Sequence, residues 1–512
     1  MRPTPTLLLV TLSLGLATVQ AQESQVVGPR ALGMGGVGVA CSDDYTAQYY
    51  NPATFGFFDE HPADGGRYPS DNNDLERKDW GFGIDATASA QITPSFGNYL
   101  NNVLQADISK VRNLGQAGAD NVAILEDAVR ILGAVAEFNP AQDYVLIDAN
   151  AGAGLRIGSF GIGARIYTSA IGRVTDLDTQ HLGIDLTGFN SVAQAISNIN
   201  TNLPAGYTPQ TLSQAQVQQL TTTLSKKADG TAANPTDVQN AVNNIDSALT
   251  KAGISGSSVQ AVVDQFGNLV TGSSTVANAL LTSNTTKLRM VGLALAEIPV
   301  TYGVAMDEHW SIGGSLKYML ARVYGLQATL LNSNGKGFSS YVVNSRENYA
   351  SSSNIGVDMG IMGRFPLVQV GLTGRNLNAP KFDGPTVNGV VFAPITVEPV
   401  VTAGVAFIPW TTFTIAADLD LTQSLSVDNF TEMQHAGVGM EWNVLHFLAL
   451  RGGVSKNIAQ ASNNLLYSAG LGVNLYALRI DLAAQASSET ITYDGHDYPE
   501  NAAASLAVAT DW

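Results

Sequence analysis

Apolar residues recur at every second position along much of this chain. In the stretch 145–157, Val145, Ile147, Ala149, Ala151, Ala153, Leu155 and Ile157 share one face; Asp148, Asn150, Gly152, Gly154 and Arg156 share the other. After Gly158-Ser159 the alternation resumes, with Phe160, Ile162, Ala164 and Ile166 against Gly161, Gly163, Arg165 and Tyr167. It returns as Leu478, Ile480, Leu482 and Ala484 against Arg479, Asp481 and Gln485, and as Val438, Met440 and Trp442 against His435, Gly437, Gly439 and Glu441. A period of two marks β-strands with one apolar face. The polar face carries glycines and charges, which suits a lumen packed by a plug with opposite charges paired across it. A soluble β-sandwich alternates as well.

Strand number and loop length separate the two architectures. The pattern predicts fourteen strands, near 80–91, 143–157, 160–170, 288–306, 310–325, 352–364, 367–376, 396–408, 412–422, 432–443, 446–456, 464–475, 477–487 and 502–512. Most are close to the roughly 9–11 residues that a tilted strand needs to cross a bilayer. Short connections (158–159, 307–309, 365–366, 409–411, 444–445 and 476) alternate strictly with long ones. Short periplasmic turns alternating with long external loops characterise outer-membrane barrels, and a sandwich has no reason to sort its loops so. The last strand puts Leu506, Val508, Thr510 and Trp512 on one face, and its terminal aromatic resembles the signal read by the barrel-assembly machinery. Trp80, Phe82, Trp310, Tyr318, Trp410, Phe413, Trp442 and Phe447 lie mostly near strand ends, as interfacial girdles do.

Two inserts break the β pattern. The first, about 93–141, holds a helical stripe of Val122, Leu125, Val129, Leu132 and Ala136. The second, about 171–287, is rich in Ser, Thr, Asn, Gln and Ala, with a stripe of Val238, Val242, Ile245 and Leu249 behind a helix start at Asn234-Pro235. By strand count both are extracellular. Their apolar stripes must bury against each other, the barrel mouth or a protein partner.

Composition agrees with export to a membrane. Residues 1–21 read as a signal peptide: Arg2, the apolar run Leu7–Leu16, then Val19-Gln20-Ala21. The mature chain has no run of about 18 apolar residues, so no transmembrane helix is predicted. Cys41 is the one cysteine, so no internal disulfide forms. Charged residues make up 13% of the chain, Gly numbers 51, and the net charge of −17 gives no basic surface for nucleic acid.

The six residues GMGGVG, Gly33 to Gly38, fit the letters of a dinucleotide fingerprint. That motif needs a buried strand before it, a helix after it and an acidic residue about 20 positions on. Pro29 and Arg30 interrupt any preceding strand, and the other two features are missing. The wider stretch from Arg30 to Phe58, with Gly33, Gly35, Gly36 and Gly38 ahead of Asn51-Pro52-Ala53, resembles the N-terminal signature of FadL-type outer-membrane transporters. That resemblance implies a plug or hatch over 22–78 inside the barrel, either a filler or a gate. Arg375–Gly384, Ala416–Thr422 and Leu465–Ala484 resemble the conjugal-transfer TraF-like proteins of the same superfamily. Pro299 interrupts the long segment 288–306. It either ends a strand or, as the FadL resemblance implies, marks a wall opening.

No enzyme chemistry is legible. Asp418 and Asp420 share a strand face and read as lumenal carboxylates. The histidines lack zinc spacing, residues 175–185 lack calcium-loop spacing, and there is no G-x-S-x-G elbow. No catalytic residue, metal site or cofactor is predicted. The chain therefore reads as an all-β transmembrane protein: a 14-stranded antiparallel outer-membrane barrel over 79–512, with a plug and helical extracellular inserts. The resemblance implies passive passage of hydrophobic small molecules. The alternative is a structural or interaction barrel whose inserts bind a protein partner. Transport calls for an apolar cavity between plug and wall; the alternative calls for a filled polar lumen.

Overall fold

The computed structural model describes residues 25–58, 80–106, 111, 121–183, 186, 188–199, 201–227, 231–274, 283–329, 348–444, 447–460, 463–475, 478–493 and 496–511. The leader expected at 1–21, plug residues 22–24 and 59–78, and Trp512 lie outside them. The strands are β1 (Trp80–Ile92), β2 (Val145–Ile157), β3 (Phe160–Thr175), β4 (Lys287–Ala305), β5 (Trp310–Thr329), β6 (Tyr349–Arg364), β7 (Val368–Arg375), β8 (Val400–Trp410), β9 (Phe413–Asp420), β10 (His435–Val444), β11 (Leu448–Asn457), β12 (Leu466–Leu475), β13 (Leu478–Ser487) and β14 (Asn501–Asp511). Each pairs with its sequence neighbour, and β14 pairs antiparallel with β1, so the sheet closes as a 14-stranded barrel. Closure leaves no unpaired edge, which the bilayer interior demands.

The alternation sorts residues as expected. Ile84, Ile166, Tyr318, Leu372, Met440 and Leu482 stand exposed on the outer face, while Asn150, Arg165, Asp418, Glu441 and Asp481 are buried in the lumen. Trp80, Trp410, Trp442 and Phe447 are exposed at the short-turn end, periplasmic in barrels of this type.

Four strands are much longer than a bilayer requires, β3 and β6 with 16 residues, β4 with 19 and β5 with 20, and of these β3–β5 stand on the side of the inserts. Their upper ends rise beyond the membrane, and the helical inserts explain why. Helices α3 (Pro94–Gln105) and α4 (Asn121–Glu137) come from the first insert; α5 (Val192–Ser197), α6 (Gln214–Leu224), α7 (Pro235–Ala252) and α8 (Ser257–Ser274) come from the second. The plug carries α1 (Pro29–Gly33) and α2 (Ala47–Tyr50). Leu125, Val129, Leu132, Val238, Val242, Ile245 and Leu249 bury in one core shared by both inserts. That core also takes Val174 of β3 and Leu288 and Met290 of β4. Their positions in the alternation are outward, so the inserts form a helical lobe against the outside of the extended wall.

The lobe is also held by a buried carboxylate. Asp246 of α7 is fully buried and accepts hydrogen bonds from the Tyr207 hydroxyl (2.6 Å) and from the N–H groups of Gln210 (2.8 Å), Thr211 (2.9 Å) and Leu212 (2.7 Å). Burial, and then the bond to Asp246, push the Tyr207 hydroxyl up to about 12. Replacing Asp246 by alanine strands several donors at once, at about 1–3 kcal/mol each when buried. The expected result is fast amide exchange at 210–212 with the barrel unchanged. Unaltered protection there would refute the role.

Candidate functional site

The plug lies across the lumen. Pro29 occupies the first turn of α1, where its fixed φ suits a helix start. Gly35 and Gly36, at φ +74 and +83, reverse the chain after it. The reversal aims the Gly38 and Val39 N–H groups at Asp418, whose Oδ2 accepts both, at 2.7 and 2.9 Å. Asn51 is fully buried between α2 and a 3-10 turn over Pro52–Phe57. Its Oδ1 accepts from the Ala53 N–H (3.0 Å), capping that turn. Its Nδ2 donates to the Val39 carbonyl of the plug and the Ile361 carbonyl of β6, both at 3.2 Å. One asparagine thus joins two plug segments to the wall. Beside it the Ser311 hydroxyl of β5 donates to the Ala53 carbonyl at 2.7 Å.

Several wall glycines let plug and wall backbones meet, among them Gly303, Gly313, Gly437, Gly439 and Gly453. A Cβ on Gly313 would run into the Pro52 carbonyl, and one on Gly439 into the Met34 carbonyl. The fingerprint glycines are therefore the plug's half of a backbone-to-backbone fit, and Gly33 rests against Gly470 in the same way.

Charges complete the fastening. Arg30 of α1 reaches Glu441 through Nε and Nη2, each at 3.0 Å, and pairs with Asp43. Arg451 joins Glu441 and Asp481 at 2.6 Å each, and Arg479 joins Asp481 (2.8 Å) and Asp44. Across the lumen Arg165 grips Asp85 at 2.6 and 2.7 Å, and the plug's Tyr45 hydroxyl reaches the same carboxylate at 3.1 Å. Lys317 meets Asp358 at 3.0 Å and Glu297 at 3.7 Å. Asp420 accepts from the Thr402 hydroxyl and the His435 N–H. Around the plug the lumen is polar, filled and paired.

Two further features lie on the β3–β5 side. The first is an apolar cluster toward the long loops, where Tyr167, Ile171, Leu293, Leu295, Met319 and Val323 pack in one buried core with plug residues Tyr49 and Tyr50 and loop residues Phe382, Ile395 and Val427. The second is a break in the wall. The β3–β4 ladder pairs Ile162 with Val300 and resumes at Arg165 with Glu297; Gly163 and Ala164 have no ladder partners opposite Ile298 and Pro299. Pro299 lacks the N–H that the ladder needs. It does not end the strand, because β4 runs on to Ala305 and pairs continuously with β5. Behind the break stands Gln48 of α2. Its amide nitrogen would lie 2.6 Å from a Cβ on Gly163 and 2.7 Å from one on Gly154. Its Oε1 is buried with no hydrogen-bond partner among the described residues. A small cavity of about 20 Å³, room for one water, adjoins Gln48, Pro299, Glu297 and Lys317.

Residues 138–420, more than half of the chain, match the family model described as "F plasmid transfer operon, TraF, protein". The chain belongs to that family. No curated protein matches it. Among solved structures the TraF-family chain is similar to the toluene transporter TbuX of Ralstonia pickettii (11% identity, TM-score 0.42, covering 95% of this chain and 98% of that one). It is likewise similar to the P. putida toluene transporter TodX (10%, 0.42, 96% and 99%) and to a Pseudomonas aeruginosa FadL homologue (9%, 0.42, 97% and 100%). The fold itself rests on the strand order and closure described above. A closed barrel with an apolar outer face places this TraF-family protein in the bacterial outer membrane.

The family match runs from just before β2 to the end of β9, so the plug, β1, most of the first insert and β10–β14 lie outside it. Gly33, Gly35, Gly36, Gly38, Asn51, Pro52 and Ala53 come together in the plug, and Pro299 lies near its α2. Gln48, Arg30 and the wall glycines Gly313 and Gly439 carry no motif, so nothing along the chain marks them as site residues. Among the described residues no group of three His, Cys, Asp or Glu could hold a metal.

Proposed function

We propose that this TraF-family barrel passes small hydrophobic molecules passively, and that they leave through the side wall instead of crossing the lumen. The carrying observation is the interrupted β3–β4 ladder at Pro299, with the plug side chain Gln48 standing against it from inside. A ligand entering among the loops would have to part the buried apolar cluster of Leu293, Leu295 and Met319 before it reached the break. The polar plug blocks the axial route. Plug gating is thus assigned to the segment Gly33–Ala53, with Gln48 as the stopper and Pro299 as the weak point of the wall.

The test is uptake of a labelled, uncharged monoaromatic hydrocarbon by Gram-negative cells expressing the full chain. Gln48→Ala is expected to raise uptake. Pro299→Val restores a ladder donor worth about 1 kcal/mol and should lower uptake roughly fivefold. The filled, ion-paired lumen favours the second reading, an interaction barrel of the envelope. In that case uptake stays at vector level for every variant.

A further inference from the structure

The outer wall carries a groove apart from the plug and the break, on β8–β11 in the half nearer the long loops. Cross-strand register defines its floor. Ala403, Leu419, Ala436 and Lys456 form one row across the four strands, and Val405, Ala417, Val438 and Val454 form the next row down. Ala403, Ala417 and Ala436 make the floor low, and Ile458 and Leu465 from the β11–β12 loop help to wall it. The groove has a volume of about 620 Å³ and an almost wholly apolar lining. Its one cation is Lys456, which makes no hydrogen bond or ion pair among the described residues. Lys456 lies eight residues above Leu448, the membrane-crossing start of β11. At about 3.4 Å per residue and a tilt near 40°, that is roughly 20 Å up a hydrophobic band about 25 Å tall. The ammonium therefore sits where acyl chains give way to headgroups.

We infer that this groove binds lipopolysaccharide through its lipid A: an acyl chain lies over Ala403, Ala417 and Ala436, and Lys456 pairs with a phosphate. A low apolar floor seats a chain, an unpaired ammonium at headgroup depth needs an anion, and the long-loop side faces the outer leaflet. A lysine with its stem on apolar surface and its charge at the interface is suited to this role.

The test incubates the delipidated full-length barrel with bis-phosphorylated lipid A and counts retained lipid by native mass spectrometry. The wild-type barrel is expected to keep one lipid A. Ala417→Trp fills the groove and should abolish retention. Lys456→Gln should lower affinity roughly tenfold, and Lys456→Arg should preserve it. Heat-modifiable gel migration confirms that each variant is a folded barrel. Equal retention by all folded variants, no retention by the wild type, or equal retention of a glycerophospholipid offered in place of lipid A would each overturn the assignment.

Discussion

Replacing Gly313 with leucine is expected to give a barrel that inserts and closes with its plug displaced. Gly313 faces the lumen near the short-turn end of β5, and its neighbours on β4 and β6 are Gly303 and Gly360, so the wall itself has room. The obstacle is the plug: any Cβ there meets the Pro52 carbonyl, and both partners are backbone. Forcing them apart also strains the Ser311–Ala53 and Asn51–Ile361 hydrogen bonds. Overpacking of about 1–3 kcal/mol, plus about 1 kcal/mol for each lost bond, shifts the seated-to-displaced balance by more than about a hundredfold. Gly439→Val should act alike through Met34, from the opposite wall. Trypsin reports the outcome, because Arg30 is shielded in the seated plug. Cleavage after Arg30 in a barrel that still migrates as folded supports the fit, whereas full protection in both variants would rule it out.

This fit shows where the sequence was readable. The barrel was legible strand by strand because lipid outside and polar lumen inside impose one alternation on every strand. Strand ends were less so: bilayer thickness sets a minimum length, and β3–β5 exceed it because Val174, Leu288 and Met290 find the helical lobe beyond the membrane. The hairpin Thr386-Val387 with Val390-Val391 was readable and missed; its Asn388-Gly389 turn, with both φ positive, is a strong hairpin signal. The plug's glycines announced a compact backbone. Their partners did not, because Gly313 and Gly439 look like any other inward position of an alternating strand. Nothing along the chain links Pro52 to Gly313; only the closed barrel brings them together. Gln48 was illegible for the same reason.

Removing the Arg165 guanidinium should cost the barrel about 3–5 kcal/mol, because it leaves Asp85 buried without its cation. The Asp85 side chain is fully buried, Arg165 grips both of its oxygens, and no other ion pair reaches it among the described residues. Arg165→Met keeps much of the volume and discards the charge, so the loss reports the stranded carboxylate. The double variant Arg165→Met with Asp85→Asn removes that charge, and an amide oxygen there still accepts from the Tyr45 hydroxyl of the plug. Most of the lost stability should return, read as the urea midpoint of the detergent-solubilised barrel. A double variant as unstable as the sum of the two singles would mean that the residues act independently. Position makes the pair informative about function as well. Arg165 is the first β3 residue to pair again after the break at Pro299, and it adjoins the cavity beside Gln48. If the wall opens there, Arg165→Met should also raise hydrocarbon uptake, and the double variant should keep that rise while recovering stability. Stability and passage then separate, which a purely structural ion pair would not allow.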